Sequence, residues 1–187
     1  MANTDNPNGF TPAYHLTGGT IRMTEMRIAD DYATSIFSGD LVTLVADGVI
    51  EVGAASTPAV GVFAGCSYTK DNGEVVFSAY WPASTSVQGS YATAYVYTDP
   101  QIVYRAQFTG ASGIVEIGSA VDVLGTAGST TNGRSAQELD STDLTDVLLK
   151  VIDFVDSPDN DPASDNAEAY VIIAEHQLVP SAASADI

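Results

Sequence analysis

The feature that most constrains this chain is a series of short apolar runs broken by residues that reverse the backbone. Residues 41–45 and 49–52 are separated by Ala46-Asp47-Gly48, and residues 59–69 and 74–80 flank Lys70-Asp71-Asn72-Gly73. Asp-Gly and Asn-Gly supply the positive φ angles of a tight hairpin turn, so each pair predicts two antiparallel strands. The same reasoning predicts a third hairpin from 92–97 and 102–108 across Thr98-Asp99-Pro100-Gln101. A fourth is predicted through the turn at 108–114. Residues 147–155 and 168–177 close the chain as strands on either side of an acidic loop. Residues 20–28 alternate as well, Ile21, Met23, Met26 and Ile28 against Arg22, Thr24, Glu25 and Arg27, with one break in the middle.

Helix signals are sparse. Residues 141–146 offer a cap, with Val147, Leu148, Val151, Ile152 and Val155 on one stripe behind it. Those residues are rich in β-branched types, which lose rotamer freedom in helices and pack well on sheets, so the strand is the favoured reading. Residues 125–137 are a small-residue loop. The prediction is all-β: one compact β-barrel or β-sandwich domain over 20–178, an extended N-terminal arm over 1–19, and a C-terminal tail over 179–187. One echo crosses the chain: Gly48-Val-Ile-Glu-Val-Gly53 returns as Gly113-Ile-Val-Glu-Ile-Gly118. It marks either two similar hairpin units or the ordinary likeness of strands.

In the arm, Pro7, Pro12 and Gly18-Gly19 discourage helix, yet Phe10, Tyr14 and Leu16 are large apolar groups without periodicity. A free tail rarely spends aromatic residues on solvent. The segment is therefore expected to lie across a surface, its own domain's or a neighbour's, with Phe10, Pro12, Tyr14 and Leu16 as the contact residues. At about 3.3 Å per residue, roughly 15 extended residues would reach on the order of 50 Å.

Charge narrows the partners. Lys and Arg number 6 against 24 Asp and Glu, a net charge of 6 − 24 = −18. Nucleic-acid readers need a basic footprint to displace phosphate counterions, and an anionic membrane repels such a chain. With 45% hydrophobic residues the chain has apolar surface enough to fold. No apolar run approaches the ~20 residues that span a bilayer, and the first residues have neither the basic start nor the apolar run of a secretory signal. A soluble product that stays where it is made, or joins something assembled there, is expected.

Chemistry is scarce. The lone Cys66 excludes an internal disulfide and reads as a small buried hydrophobe. His15 and His176 stand in no metal-ligand spacing, and neither a nucleophile elbow nor a phosphate-binding loop occurs. No catalytic residue, metal ligand or cofactor is assigned; a hydrolase built on paired carboxylates is the outlying alternative. The 156–168 loop is dense in the oxygen ligands that suit calcium, but it lacks the glycine and glutamate spacing of a calcium-binding hand. A solvated loop is the default there. Trp81 reads as core. Tyr80, Trp81, Tyr91, Tyr95, Tyr97 and Tyr104 would be the platforms of a glycan-binding module were they exposed.

Three stretches carry a likeness. They are the opening Met-Ala-Asn-Thr-Asp-Asn-Pro-Asn-Gly-Phe-Thr-Pro-Ala-Tyr-His-Leu-Thr-Gly-Gly-Thr-Ile-Arg running on to Ile36-Phe37-Ser38-Gly39-Asp40-Leu41-Val42, then Val60-Gly61-Val62-Phe63-Ala64-Gly65, then Tyr80-Trp81-Pro82-Ala83-Ser84-Thr85. Together they resemble the small head decoration, or capsid cement, proteins of tailed bacteriophages. The likeness is densest over residues 1–85 and is one of turns and strands. It implies a β-rich virion protein on the outer surface of the capsid, made in the host cytoplasm. Its partners would be the major capsid protein and itself, as a symmetric homotrimer, with a dimer as the alternative. A carbohydrate- or receptor-binding β module displayed on the virion is the competing expectation.

Overall fold

Residues 3–144 and 148–179 are described by a computed structural model, and among them the regular backbone is strand apart from one 3₁₀ turn at Ile114–Glu116. The first half carries β1 (Thr11–His15), β2 (Thr24–Ala29), β3 (Ile36–Phe37), β4 (Leu41–Leu44), β5 (Ile50–Val52), β6 (Gly61–Thr69), β7 (Val75–Ser78), β8 (Tyr80–Trp81) and β9 (Tyr91–Tyr97). The second half carries β10 (Ile102–Gln107), β11 (Ala120–Val121), β12 (Val123–Leu124), β13 (Glu138–Leu139), β14 (Leu149–Phe154) and β15 (Glu168–Ile173). The fold is all-β and sandwich-like. Among the described residues the larger two of four antiparallel sheets run β1-β10-β15-β14-β11 and β2-β9-β6-β4-β5, with β7 on the far half of β6; β12 pairs with β13, and β3 with β8.

The two hairpins marked by Asp-Gly and Asn-Gly form as predicted. Gly48 and Gly73 take φ of 74° and 84°, and Val45 and Lys70 donate across their turns to Val49 and Glu74. β14 and β15 pair around the acidic loop, so the strand reading of this segment holds; Val147 lies outside the described residues. Two apolar clusters fill the interior. Phe10, Tyr104, Phe108, Leu149 and Val171 pack with Leu41 and Val62 between the sheets, while Ile28, Phe63, Trp81 and Val96 pack beneath the second sheet. Each such side chain contributes about 1.5–3 kcal/mol on burial.

A C-terminal segment rivets the sheets together. Ala174 donates to the Leu148 carbonyl, Gln177 donates to that of Ala59, and the Gln177 side chain brackets Leu44, accepting from its N–H at 2.7 Å and donating to its C=O at 3.0 Å. At the other end of the chain the Asn3 amide donates to the carbonyls of Asp161 and Asp165 and accepts from the Asp161 N–H.

Several expectations need correction. β9 and β10 are not a hairpin: residues 98–101 cross from one sheet to the other. Pro100 stands where the other turns have glycine, and both edges of each strand are already claimed, β9 by β2 and β6 and β10 by β1 and β15. The fourth hairpin is absent because Phe108 and Thr109 donate instead to Ala167 and Leu139, which carries the chain away from a return strand. The break in 20–28 is a change of side: Ile21 packs against the core between the sheets, whereas Met26 and Ile28 belong to the other cluster. An arm over 1–19 is not confirmed, and its residues 3–19 lie against the chain's own domain. Phe10 is 1% exposed, and β1 is an edge strand of the five-stranded sheet in register with β10.

Candidate functional surfaces

The N-terminal segment is fixed from its first described residues. The Phe10 N–H donates to the Gly39 carbonyl at 2.8 Å. Gly9, at φ 63°, lies so close to Ser135 and Gly39 that a Cβ there would overlap both. This contact seats the Phe10 ring in the core, so Phe10 has no side-chain surface left for a neighbour. Pro12 is half-buried and removes one N–H from the strand, and a bulge follows it, two devices that blunt a sheet edge. Tyr14 and Leu16 remain exposed, Tyr14 edge-on to Tyr170 at 5.5 Å. Beside this segment lies a polar cleft of about 490 Å³ lined by Asn6, Asn8, Arg105, Gln107, Arg134 and Glu168, across which Arg105 is ion-paired with Glu168.

The second surface is the outer face of the β2-β9-β6-β7 half of the other sheet. Alternation turns Ala92, Ala94 and Val96 inward and Tyr91, Thr93 and Tyr95 outward. Register aligns Phe77, Ser67, Thr93 and Arg27 across four strands, with the pairs Val75–Thr69 and Tyr91–Ala29 beside them. Ser67 and Tyr95 join hydroxyls at 3.1 Å, and the Arg27 guanidinium lies over the Tyr91 ring at 5.5 Å. Phe77 is 76% exposed. Between Met23, Phe77 and Tyr95 the face dips into an apolar hollow of about 440 Å³ floored by Ala64, Gly65 and Ala79.

Of the six aromatic residues expected as platforms, Trp81 and Tyr104 are core. The Trp81 Nε1–H donates to the Tyr32 carbonyl, and the Tyr104 hydroxyl donates to that of Tyr97. Tyr80 is stacked on Phe37. Tyr91 and Tyr95 alone of the six share the outer face just described. Cys66 is buried, and burial pushes its thiol up to about 12, which keeps it protonated and unreactive.

The acidic loop is laced through its backbone. Asn160 donates to the carbonyls of Val155 and Glu168 and accepts from the Glu168 N–H, while Asp161 accepts from Ala163 and Ser164. Among the described residues no group of three or more His, Cys, Asp or Glu side chains is arranged to hold a metal ion.

The hollow at Met23, Phe77 and Tyr95 escapes sequence reasoning because its walls come from three strands. The visible trace of it is Val75-Val76-Phe77, an apolar run in a hairpin arm that has only one neighbour to cover it. No family model matches the chain, and comparison with curated proteins and with solved structures returns no match.

Proposed function

We propose that this chain is a structural virion protein that binds the outer surface of a phage head's major capsid lattice and stabilises it. The observation that carries the reading is the grouping of large exposed apolar side chains on strand surfaces of an acidic chain. Tyr14 and Leu16 stand at the edge strand, and Met23, Val75, Phe77 and Tyr91 stand on the second sheet. Single exposed apolar residues are ordinary, whereas grouped ones mark interaction surfaces. The likeness in turns and strands to capsid cement proteins supports the choice of partner. A protein that binds only the assembled shell adds its binding free energy to that state, and contacts repeated around a lattice strengthen one another. A charge of −18 keeps it off packaged nucleic acid and suits a role without membrane, cofactor or catalytic step. It is made in the host cytoplasm and sits on local three-fold axes as a homotrimer, or on two-fold axes as a dimer.

Because β1 is already paired within the sheet, Tyr14 and Leu16 rather than a free arm reach the lattice. Purified heads lacking the protein test this: the added chain binds saturably and raises the temperature at which the heads disrupt, and Tyr14→Ser with Leu16→Ser weakens both effects. Heads that neither bind the chain nor gain heat resistance overturn the reading.

A specific observation favours one alternative, a glycan-binding module. Tyr91, Tyr95, Ser67, Thr93 and Arg27 make an exposed face of rings and hydroxyls. Glycan-array binding that disappears with Tyr91→Ala would favour it.

A further inference from the structure

The small-residue loop at 125–137 contains a single charged side chain, Arg134. The backbone around it is fixed from both sides. The Ser129 N–H donates to the Arg134 carbonyl at 2.8 Å, and the Arg134 N–H donates to the Asn132 side chain at 3.0 Å. Ser38, just past β3, donates to the Gly133 carbonyl and accepts from the Ser135 N–H. A Cβ on Gly128 would overlap both the Phe37 ring and the Arg134 carbonyl, so the loop closes tightly around this residue. The Arg134 side chain is exposed, and among the described residues it takes part in no ion pair.

Arg105 comes to the same place from a different element. It stands on β10 between Thr11 of β1 and Tyr170 of β15, and with Arg134 it lines the polar cleft of about 490 Å³. Two of the chain's 6 Lys and Arg side chains therefore share one recess in a molecule of net charge −18. Glu168 is the one acid in the lining, and it is ion-paired with Arg105. Two guanidinium groups against one carboxylate leave a single positive charge in excess, on the arginine without a partner. Asn6 and Thr11 add a side-chain amide and a hydroxyl, neither hydrogen-bonded within the described chain.

These groups select an occupant. A guanidinium held in place without a partner matches a carboxylate, which accepts two parallel hydrogen bonds from its fork. One charge in excess suits one carboxylate, whereas a phosphate dianion would set a second negative charge against Glu168. A sugar acid calls for an aromatic ring to stack on, and no ring is among the residues that line this cleft. An acidic side chain of a protein fits, with Asn6 and Thr11 left to meet its main chain. The recess also opens beside β1, the strand that carries the exposed Tyr14 and Leu16.

We propose that an aspartate or glutamate side chain of the capsid lattice docks in this cleft, held by the Arg134 guanidinium, with Arg105 shared between it and Glu168. The inference rests on the capsid-binding reading and names the chemistry by which that partner is held. Tyr14 and Leu16 supply apolar contact at the same edge of the sheet, and the charged pair fixes the register in which the two surfaces meet.

Purified heads lacking the protein test it with the full chain, in two forms: untreated, and with surface carboxylates amidated by carbodiimide and methylamine. On untreated heads Arg134→Gln weakens binding about tenfold or more, as for one partner removed from a hydrogen-bonded charge pair. Arg134→Lys recovers part of the loss, because an ammonium has no fork. Glu168→Gln tightens binding by freeing Arg105 for the incoming carboxylate. Thermal unfolding of Arg134→Gln matches the wild type, since the hydrogen bonds of Arg134 within the fold run through its backbone. On amidated heads the wild type and Arg134→Gln bind alike. Untreated heads that bind Arg134→Gln as tightly as the wild type overturn the docking site and leave capsid binding intact, and so does a gap between the two that survives amidation. Heads that bind no form of the chain overturn both this proposal and the reading beneath it.

Discussion

His15 and Asp99 meet at 3.1 Å, imidazole Nε2 to carboxylate Oδ2, and fasten the end of the edge strand β1 to the crossover between the sheets. The Gln101 N–H and then the His15 ring hold the Asp99 carboxyl below the ordinary aspartate value. A depressed acid stabilises the fold above its unfolded pKa and loses that contribution as pH falls through the folded one. Asp99→Asn should therefore cost less than about 1 kcal/mol near neutral pH, since the carboxylate is substantially exposed. Amide exchange at Tyr14 and Leu16 should quicken; unchanged exchange there would contradict the fastening.

Asp40 behaves in the opposite sense. Burial drives its carboxyl up to about 6, against hydrogen bonds from the Ser135 hydroxyl and the Phe37 N–H. The folded state holds a proton that the unfolded chain releases, so ionised Asp40 works against folding at pH 7, by an amount on the order of 3 kcal/mol. Asp40→Asn is expected to raise the urea midpoint at pH 7, with the advantage shrinking below pH 6 and gone by about pH 4. An equal gap at every pH would refute it.

Acid should also loosen the rivet between the sheets. Burial lowers the pKa of His176, whose Nδ1 accepts from the Leu178 N–H, so the folded state resists the proton that the unfolded chain takes up. Stability from this group is complete above the ordinary histidine value and falls as pH drops below it. An NMR titration should place the His176 midpoint under 6.5, the usual value; one at or above it would contradict the burial.

Phe10 and Tyr14, four positions apart, should separate sharply under truncation. Phe10→Ala opens a cavity in the core and should cost about 3–5 kcal/mol. Tyr14→Ser, at an exposed edge, should cost under about 1 kcal/mol. Denaturant unfolding of the two variants measures the difference.

Asn160→Ala removes three hydrogen bonds that close the acidic loop onto β15 and leaves the Glu168 N–H without its partner. The expected loss is about 2–3 kcal/mol. Asn160→Asp keeps the acceptor for that N–H but not the donors to Val155 and Glu168, and should fall between.

The class of fold was legible because period-two runs and the Asp-Gly and Asn-Gly turns act locally, and Gly48 and Gly73 adopt the angles those dipeptides favour. The partition into two sheets was not. Whether β9 turns back or crosses over depends on which edges β2, β6, β1 and β15 have claimed, all of them remote in sequence. The repeat at 113–118 misled in another way: its residues favour a strand, but the segment closes on itself, the Glu116 N–H donating to the Gly113 carbonyl, before Gly118 joins β14. Of the expected contact residues, Tyr14 and Leu16 are exposed at the edge strand, whereas Phe10 is drawn into the core where Gly9 closely approaches Gly39 and Ser135, a packing that no local pattern announces. Val115 and Phe77 are ordinary apolar residues until a fold leaves them in water.

The Gln177 clamp on Leu44 closes a loop of 133 positions, and Asn3 reaches Asp161 across 158. A ribosome must release the chain as far as Gln177 for the one and Asp161 for the other, and β1 likewise emerges long before β10, the strand it pairs with. The hairpins of the second sheet form early and locally, but docking of the two sheets comes late. Slow, strongly cooperative maturation follows, and during that delay a half-finished molecule offers open strand edges to its neighbours.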